Sequence, residues 1–134
     1  MATVPPAPLA VVIAVLSTFV LGGLWYSPLL FGKRWQALVG LTDEALGRDL
    51  LRVFGVAILA AGLFSVNLGF FIGGASSTAF GAFAGFATGF GFVAAGLLIS
   101  YTFARRPLAL VAIDAGYHVV AGTVAGVIFG AFGG

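Results

Sequence analysis

The sequence predicts an all-α integral membrane protein whose four transmembrane helices form a compact bundle. Of its 134 residues, 61% are hydrophobic and only 7% are charged, whereas about a quarter of a soluble domain is charged. The mean hydropathy is +1.18. Continuous apolar runs have the length of roughly 20 residues that a hydrocarbon core about 30 Å thick requires of a helix. Transmembrane strands would instead alternate apolar and polar residues. We therefore expect one transmembrane domain over residues 1–134, surrounded by the lipid bilayer.

Four apolar runs place the helices at residues about 9–30, 51–72, 79–103 and 108–132. The first ten residues, MATVPPAPLA, lack the basic segment of a secretory signal, so the first run is interpreted as a retained helix. Residues 31–50 form a polar loop that we expect to be cytoplasmic. Within it, Thr42 is a candidate helix N-cap, followed by Asp43 and Glu44. Glu44 and Arg48 have the i,i+4 spacing of a helical ion pair.

The distribution of cations predicts the orientation. All six lie in the first and third connections or within two residues of them, and these connections share one side of a four-helix protein. They are Lys33, Arg34, Arg48, Arg52, Arg105 and Arg106. Because cytoplasmic loops carry the excess of Lys and Arg, we expect a bacterial inner membrane protein with both termini outside the cytoplasm.

The segment LGGLWYSPLLFGKRW, residues 21–35, marks the cytoplasmic end of the first helix. Trp25 and Tyr26 are typical of the headgroup level, and Tyr101 has the same position at the end of the third helix. Pro28 is expected to end or kink the first helix.

Glycines recur at spacings that place them on single faces of three helices. Such small residues allow close helix contact in a membrane. The candidates for helix packing are Gly55, Gly62 and Gly69, Gly81, Gly85 and Gly89, and Gly122, Gly126 and Gly130. Gly96 and Gly134 continue two of these faces. A surplus of such faces favours a homo-oligomer, although glycine is also generally common in membrane helices.

Asp114 and His118 are ionisable residues within the fourth apolar run, at i,i+4 spacing, with Tyr117 beside them. Intramembrane ionisable groups usually serve a function and avoid lipid. The functional interpretation is a proton relay or the polar floor of a substrate cavity. The structural interpretation is that Asp114 and His118 satisfy each other, or that Asp114 pairs with Arg105 or Arg106.

Two further polar residues are weaker candidates for a ligand or proton site. Asn67 lies in the second run and is expected to bond to another helix. Arg105 belongs to a basic turn that anchors the topology or recognises anionic headgroups or solutes. With no cysteine and one histidine, a structural zinc site cannot form within one chain. No metal, cofactor or nucleic-acid partner is predicted, and an axial haem role for His118 remains the alternative.

The motifs above resemble a family of small bacterial four-helix membrane proteins catalogued as domain of unknown function 1761. The resemblance rests on LGGLWYSPLLFGKRW, the following VGLTDEAL, and ARRPLALVAIDAGYHVV at the start of the fourth helix. In the family, the residue before the basic turn is usually acidic and the residue at position 114 is often an amide, where this chain has Ala104 and Asp114. The resemblance therefore implies the fold and favours Tyr117 and His118 as shared site residues, but it implies no activity.

Three functions are compatible with these observations. The first is an oligomeric permeation or binding protein for a small solute or ion, with Asp114, Tyr117 and His118 facing the pathway. Trp25, Tyr26 and Arg105 would then lie near its cytoplasmic mouth. The second is a non-catalytic accessory subunit that binds a partner membrane protein through glycine faces. The third, disfavoured because familiar catalytic motifs are missing, is an enzyme that acts on a lipid-soluble substrate with His118 as general base.

Overall fold

A computed structural model describes residues 5–74 and 76–133 of the chain. Four helices are long and apolar enough to cross a membrane, and the described residues contain no strand. These helices are α1 (Pro8–Trp25), α4 (Leu50–Ile72), α5 (Thr78–Phe103) and α6 (Leu108–Phe132). Two short helices, α2 (Gly32–Val39) and α3 (Asp43–Leu46), lie between α1 and α4. The prediction of an all-α, multi-pass membrane protein is confirmed.

The helix boundaries follow from local backbone chemistry. Proline at the first turn of α1 and just before α6 supplies the fixed φ that suits a helix start. The Ser77 hydroxyl accepts a hydrogen bond from the Phe80 N–H and caps α5. The Thr42 hydroxyl caps α3 in the same way by accepting from the Ala45 N–H at 3.1 Å, which confirms the predicted N-cap.

The first helix is shorter than expected. We expected it to extend to about residue 30, but α1 ends at Trp25 and a turn follows. The physical reason is Pro28, which has no N–H to donate and disfavours helical backbone at Ser27. Apolar residues continue to Phe31, so hydropathy alone extends the run too far.

Helix α6 lies at the centre, and α1, α4 and α5 each pack against it. The main apolar core is built from α1, α4 and α6, and its buried members are Ala10, Ala14, Leu68, Ile72, Ala125 and Phe129. Only the second half of α4 contributes to this core, because its buried residues begin at Ser65. The first half of α4 is largely exposed, and Leu51 has a relative exposure of 90%.

Helix α5 is interrupted by a π-helical segment, Gly89–Ala94. Its i→i+5 hydrogen bonds give a wider turn than the α-helix, so residues beyond it are rotated from the positions that a continuous α-helix would give. Gly89 begins this segment and packs against the backbone of His118 and Val119 on α6.

Both charged connections lie at the same end of the bundle. The ends of α1 and α5 meet the start of α6 through side-chain hydrogen bonds to Asp114. At the other end, Pro6 contacts Gly69 of α4, and Gly130 packs against Ser77. The six Lys and Arg residues therefore share one end, which we call the charged end.

Candidate functional site

Asp114 is the only acidic residue within the four spanning helices, and its side chain is buried, with 9% of the residue exposed. The Tyr26 hydroxyl donates to one carboxylate oxygen at 2.7 Å. The Tyr101 hydroxyl donates to the other oxygen at 2.9 Å. Since these tyrosines lie just after α1 and near the end of α5, one carboxylate joins three parts of the bundle.

Two further hydrogen bonds fix α1 against α6 beside this carboxylate. The Trp25 indole N–H donates to the Ile113 carbonyl at 3.0 Å. The Tyr117 hydroxyl donates to the Thr18 carbonyl, which lies within α1, at 2.7 Å. The acceptors of both bonds are backbone oxygens. The bonds therefore require the donor side chain and close approach of the helices, but no particular acceptor side chain.

Small residues permit that close approach. A Cβ atom at Gly22 would contact the Tyr117 hydroxyl at 3.4 Å, and one at Gly116 would lie 3.1 Å from the Trp25 ring. Neither glycine belongs to a repeat along its own helix, which is the pattern from which the packing glycines are predicted. Each glycine lies opposite an aromatic residue of the neighbouring helix. This pattern can identify them only when it is known which helices are neighbours.

The turn after α1 brings α2 back onto the site. The Gly32 N–H donates to the Ser27 carbonyl at 3.0 Å, and a side chain at Gly32 would overlap the Tyr26 carbonyl oxygen. Trp35 of α2 then packs edge-on against the Tyr26 ring, with centroids 5.5 Å apart. The Tyr26 ring also packs against Tyr117 of α6, with centroids 5.6 Å apart, so Tyr26 lies between α2 and α6.

Burial and the hydrogen bond to Asp114 raise the pKa of the Tyr26 hydroxyl above its ordinary value. Removing a phenolic proton beside a carboxylate would place two negative charges together in a poorly solvated position. Tyr26 therefore remains a hydrogen-bond donor at neutral pH.

His118 does not bond to Asp114, so the predicted hydrogen bond between them is wrong. The two carboxylate oxygens accept from tyrosines instead. The His118 ring packs edge-on against Tyr117 at 5.0 Å between centroids. Across residues 5–74 and 76–133, the hydrogen bonds of the structure do not involve its imidazole, which is partly buried.

Arg105 does not neutralise Asp114 either. Its guanidinium donates to the Phe103 carbonyl at 2.8 Å, and the residue is exposed. The Arg105 backbone is left-handed, with φ of 58°. This conformation ends α5 and allows the Arg106 N–H to donate to the Tyr101 carbonyl at 2.9 Å. Among the residues described, the single ion pair joins Arg48 and Glu44 at 3.4 Å, at the predicted i,i+4 spacing.

Asn67 lies outside the cluster. Its amide donates to the Leu63 carbonyl of its own helix at 2.8 Å, and its side chain is exposed. The expected bond to another helix is therefore wrong. An asparagine on a helix can return a hydrogen bond to the preceding turn, which satisfies its amide without a partner helix.

The glycine faces separate into two groups. Those of α5 and α6 meet, so that a side chain at Gly81 or Gly85 would overlap a glycine carbonyl of α6. The reciprocal positions are Gly122, Gly126 and Gly130, which face Gly85, Gly81 and Ser77 respectively. On α4, Gly69 contacts Pro6 and Phe129. A side chain at Gly55, Gly62 or Gly96 would meet no atom within 4 Å, and Gly134 lies outside the described residues.

The part of the chain that the structure describes contains no group of three or more His, Cys, Asp or Glu side chains arranged to hold a metal ion. The chemistry available at Asp114 is therefore that of one carboxylate, its tyrosine donors and the neighbouring rings of Trp35, Tyr117 and His118. Such a group can bind a proton or a small cation.

No match to the chain was found among curated proteins or among solved structures. One family model does match, and it covers residues 9–130, nearly the whole chain and every residue of the Asp114 cluster. The chain belongs to the family described as "Protein of unknown function (DUF1761)".

Proposed function

We propose that this membrane protein binds a proton or a small cation at Asp114 and, as a homo-oligomer of the bacterial inner membrane, allows that ion or a small solute to pass. The charged end would face the cytoplasm, because five of the six Lys and Arg residues lie in the connections at that end and the sixth, Arg52, lies in the first turn of α4. Both termini and the connection between α4 and α5 would then lie outside the cytoplasm.

The observation that carries this proposal is a buried carboxylate without a basic partner. Buried charges in proteins are paired or neutralised, because leaving water is costly. In the described part of the chain, the only ion pair lies elsewhere, between exposed residues. Two tyrosine hydroxyls supply hydrogen bonds to Asp114 but no positive charge. A proton or a cation from solution would complete the site.

The carboxylate also has the capacity to hold a ligand. Its two oxygens offer about four lone-pair positions, of which the tyrosines use two. Aromatic rings can add an attraction for a cation held over their faces. Asp114 lies six residues after the start of α6, hence about 9 Å along the helix, a depth that an ion from the charged end can reach.

Passage through the remaining bilayer would require a second copy of the chain. The seam between α5 and α6 is closed by glycine backbones in contact, so it offers no pathway within one subunit. The first half of α4 and the end of α5 are largely exposed, and these surfaces are the natural place for a pathway between subunits.

A second function is favoured by one specific observation. The bonds from Tyr26 and Tyr101 hold α1 and α5 to α6, which is what a rigid accessory subunit would need from a buried polar residue. In that case Asp114 would maintain the bundle, and the exposed helix faces would bind a partner membrane protein.

Flux measurements in proteoliposomes distinguish these functions. We would compare the protein with Asp114→Asn, which retains an amide able to bond to both tyrosines but has no charge. Asp49→Asn, an acid outside the spanning helices, is the matched control. The proposal predicts that proton or alkali-cation flux falls at least tenfold in Asp114→Asn and is unchanged in Asp49→Asn, with equal oligomer size.

His118→Ala provides a second test of the same site. If His118 faces the pathway, this variant loses flux while the oligomer remains intact. Absence of flux from the unmodified protein, or equal flux in Asp114→Asn, would contradict permeation. Loss of assembly alone in the His118 variant would favour the accessory function.

A further inference from the structure

An apolar groove of about 460 Å³ runs along the outer face of α1, beside α6. Its lining includes Ile13, Leu16, Val20, Leu21 and Leu24 of α1, together with Val124 of α6. The one hydroxyl in its wall, that of Ser17, donates to the Ala14 carbonyl of its own helix at 2.7 Å. The groove therefore offers hydrocarbon contact and no free hydrogen-bonding group along the α1 face.

The length of the groove matches one leaflet of a bilayer. Ile13 and Leu24 are eleven positions apart, which at 1.5 Å per residue corresponds to about 16 Å. A hydrocarbon core about 30 Å thick has leaflets of about 15 Å each. The groove therefore runs from the end of α1, at the charged end, to about the middle of the membrane, as an acyl chain of that leaflet does.

Two cations follow the end of α1 at the charged end, which is the end at which the headgroup of such a lipid lies. Because Gly32 packs against the Tyr26 carbonyl and donates to the Ser27 carbonyl, the chain returns directly to the end of α1. The next two residues are Lys33 and Arg34, both exposed. In the described part of the chain, neither side chain takes part in a hydrogen bond or an ion pair.

Charge and shape together identify the occupant. We propose that the α1 groove and the Lys33–Arg34 pair form a binding site for one anionic phospholipid, with an acyl chain along Ile13–Leu24 and the phosphate at the two cations. An anionic headgroup complements two unpaired positive charges, whereas a zwitterionic headgroup carries its own cation. Trp25 packs against Phe31 and Trp35 packs against Tyr26, so both indole rings lie beside the turn between α1 and α2, and indole rings are typical of the membrane interface. This site does not depend on ion binding at Asp114.

The test measures lipid binding to delipidated protein in detergent by native mass spectrometry. Phosphatidylglycerol is compared with phosphatidylcholine of the same acyl chains. Each Lys or Arg near an anionic lipid surface contributes about fivefold in affinity, so Lys33→Gln with Arg34→Gln should weaken phosphatidylglycerol binding about 30-fold. The matched control, Arg48→Gln with Arg52→Gln, removes two cations from the same end and should change binding less than about twofold.

A groove variant tests the acyl-chain half of the site. Val20→Phe, which fills the groove at a residue 75% exposed, should weaken binding of both lipids by a similar factor. Inorganic phosphate and glycerol phosphate should not displace the lipid at equal concentration.

Three results would overturn the proposal. They are equal loss of binding in the two double variants, equal affinity for the two lipids, and displacement by inorganic phosphate alone. Circular dichroism and size-exclusion chromatography of each variant separate loss of binding from loss of fold.

Discussion

Tyr26 and Asp114 are 88 residues apart in the chain, yet the tyrosine hydroxyl lies 2.7 Å from the carboxylate. This bond connects the turn after α1 to the central helix α6. With the bond from Tyr101, it accounts for both oxygens of the one acidic side chain within the spanning helices. The geometry of the charged end depends on this pair of donors.

Tyr26→Phe and Tyr101→Phe should each destabilise the protein. Each substitution removes one donor from a buried carboxylate, and interhelical hydrogen bonds in membranes contribute about 1 kcal/mol. Because both donors serve the same carboxylate, the double variant should lose more than the sum of the single losses. Unfolding titrations in mixed micelles measure these free energies. Tyr26→Phe with the stability of the unmodified protein would show that the bond contributes nothing.

The contact between α5 and α6 should not tolerate a side chain. Gly85→Ala places a Cβ against the Gly122 backbone, so either the helices separate or the backbone shifts. Over-packing of this kind costs about 1–3 kcal/mol. Gly96→Ala in the same helix meets no atom within 4 Å and should be neutral or slightly stabilising, because alanine favours helix. Equal stability of the two variants would contradict the packing described for this seam.

Arg105→Gly should stabilise the end of α5. Arg105 has φ of 58°, and a left-handed backbone costs an ordinary residue about 1 kcal/mol or more that glycine avoids. Arg106→Gly is the matched control. This substitution removes the same charge, but Arg106 is not among the residues with positive φ. The thermal midpoint in detergent should rise for the first variant and not for the second. A rise in both would indicate that charge rather than backbone conformation is responsible.

Alkaline pH should destabilise the protein through Tyr26. Its pKa is raised in the folded state, so the folded protein retains a proton that the unfolded chain loses near pH 10. The stability due to this group is complete below pH 10 and declines as the pH rises above it. Unfolding measured from pH 8 to 11 should show a smaller alkaline decline in Tyr26→Phe. Identical pH profiles would show that Tyr26 is solvated like a free tyrosine.

The spanning helices were predictable because the bilayer imposes a strict length on apolar segments. The end of α1 was not predictable from hydropathy, since turn chemistry at Pro28 rather than apolarity ends the helix.

Gly96 shows a different limit of prediction from sequence. Counting 100° per residue placed it on the face of Gly81, but the π-helical segment Gly89–Ala94 shifts the register between them.

The residues of the candidate site were easier to predict than their partners. Asp114 was identifiable as an acid in an apolar run, and Tyr26 and Tyr101 as interfacial aromatics. Sequence spacing favoured His118 as the partner of Asp114 because only neighbours along one helix are visible in a sequence. The actual partners reach Asp114 from the ends of other helices, and that contact depends on how the helices pack.

Infrared difference spectroscopy of the Asp114 carboxyl group shows whether this residue binds a proton or a small cation. Spectra are recorded during pH and cation titrations of the protein with isotopically labelled Asp side chains. Subtracting the spectra of Asp114→Asn isolates the signal of the Asp114 carboxyl group. If Asp114 binds a proton or a cation, its buried carboxyl band changes between the protonated and ionised forms, and the midpoint of the pH titration falls as the cation is added. A band that remains constant across both titrations would contradict a proton- or cation-binding role for Asp114.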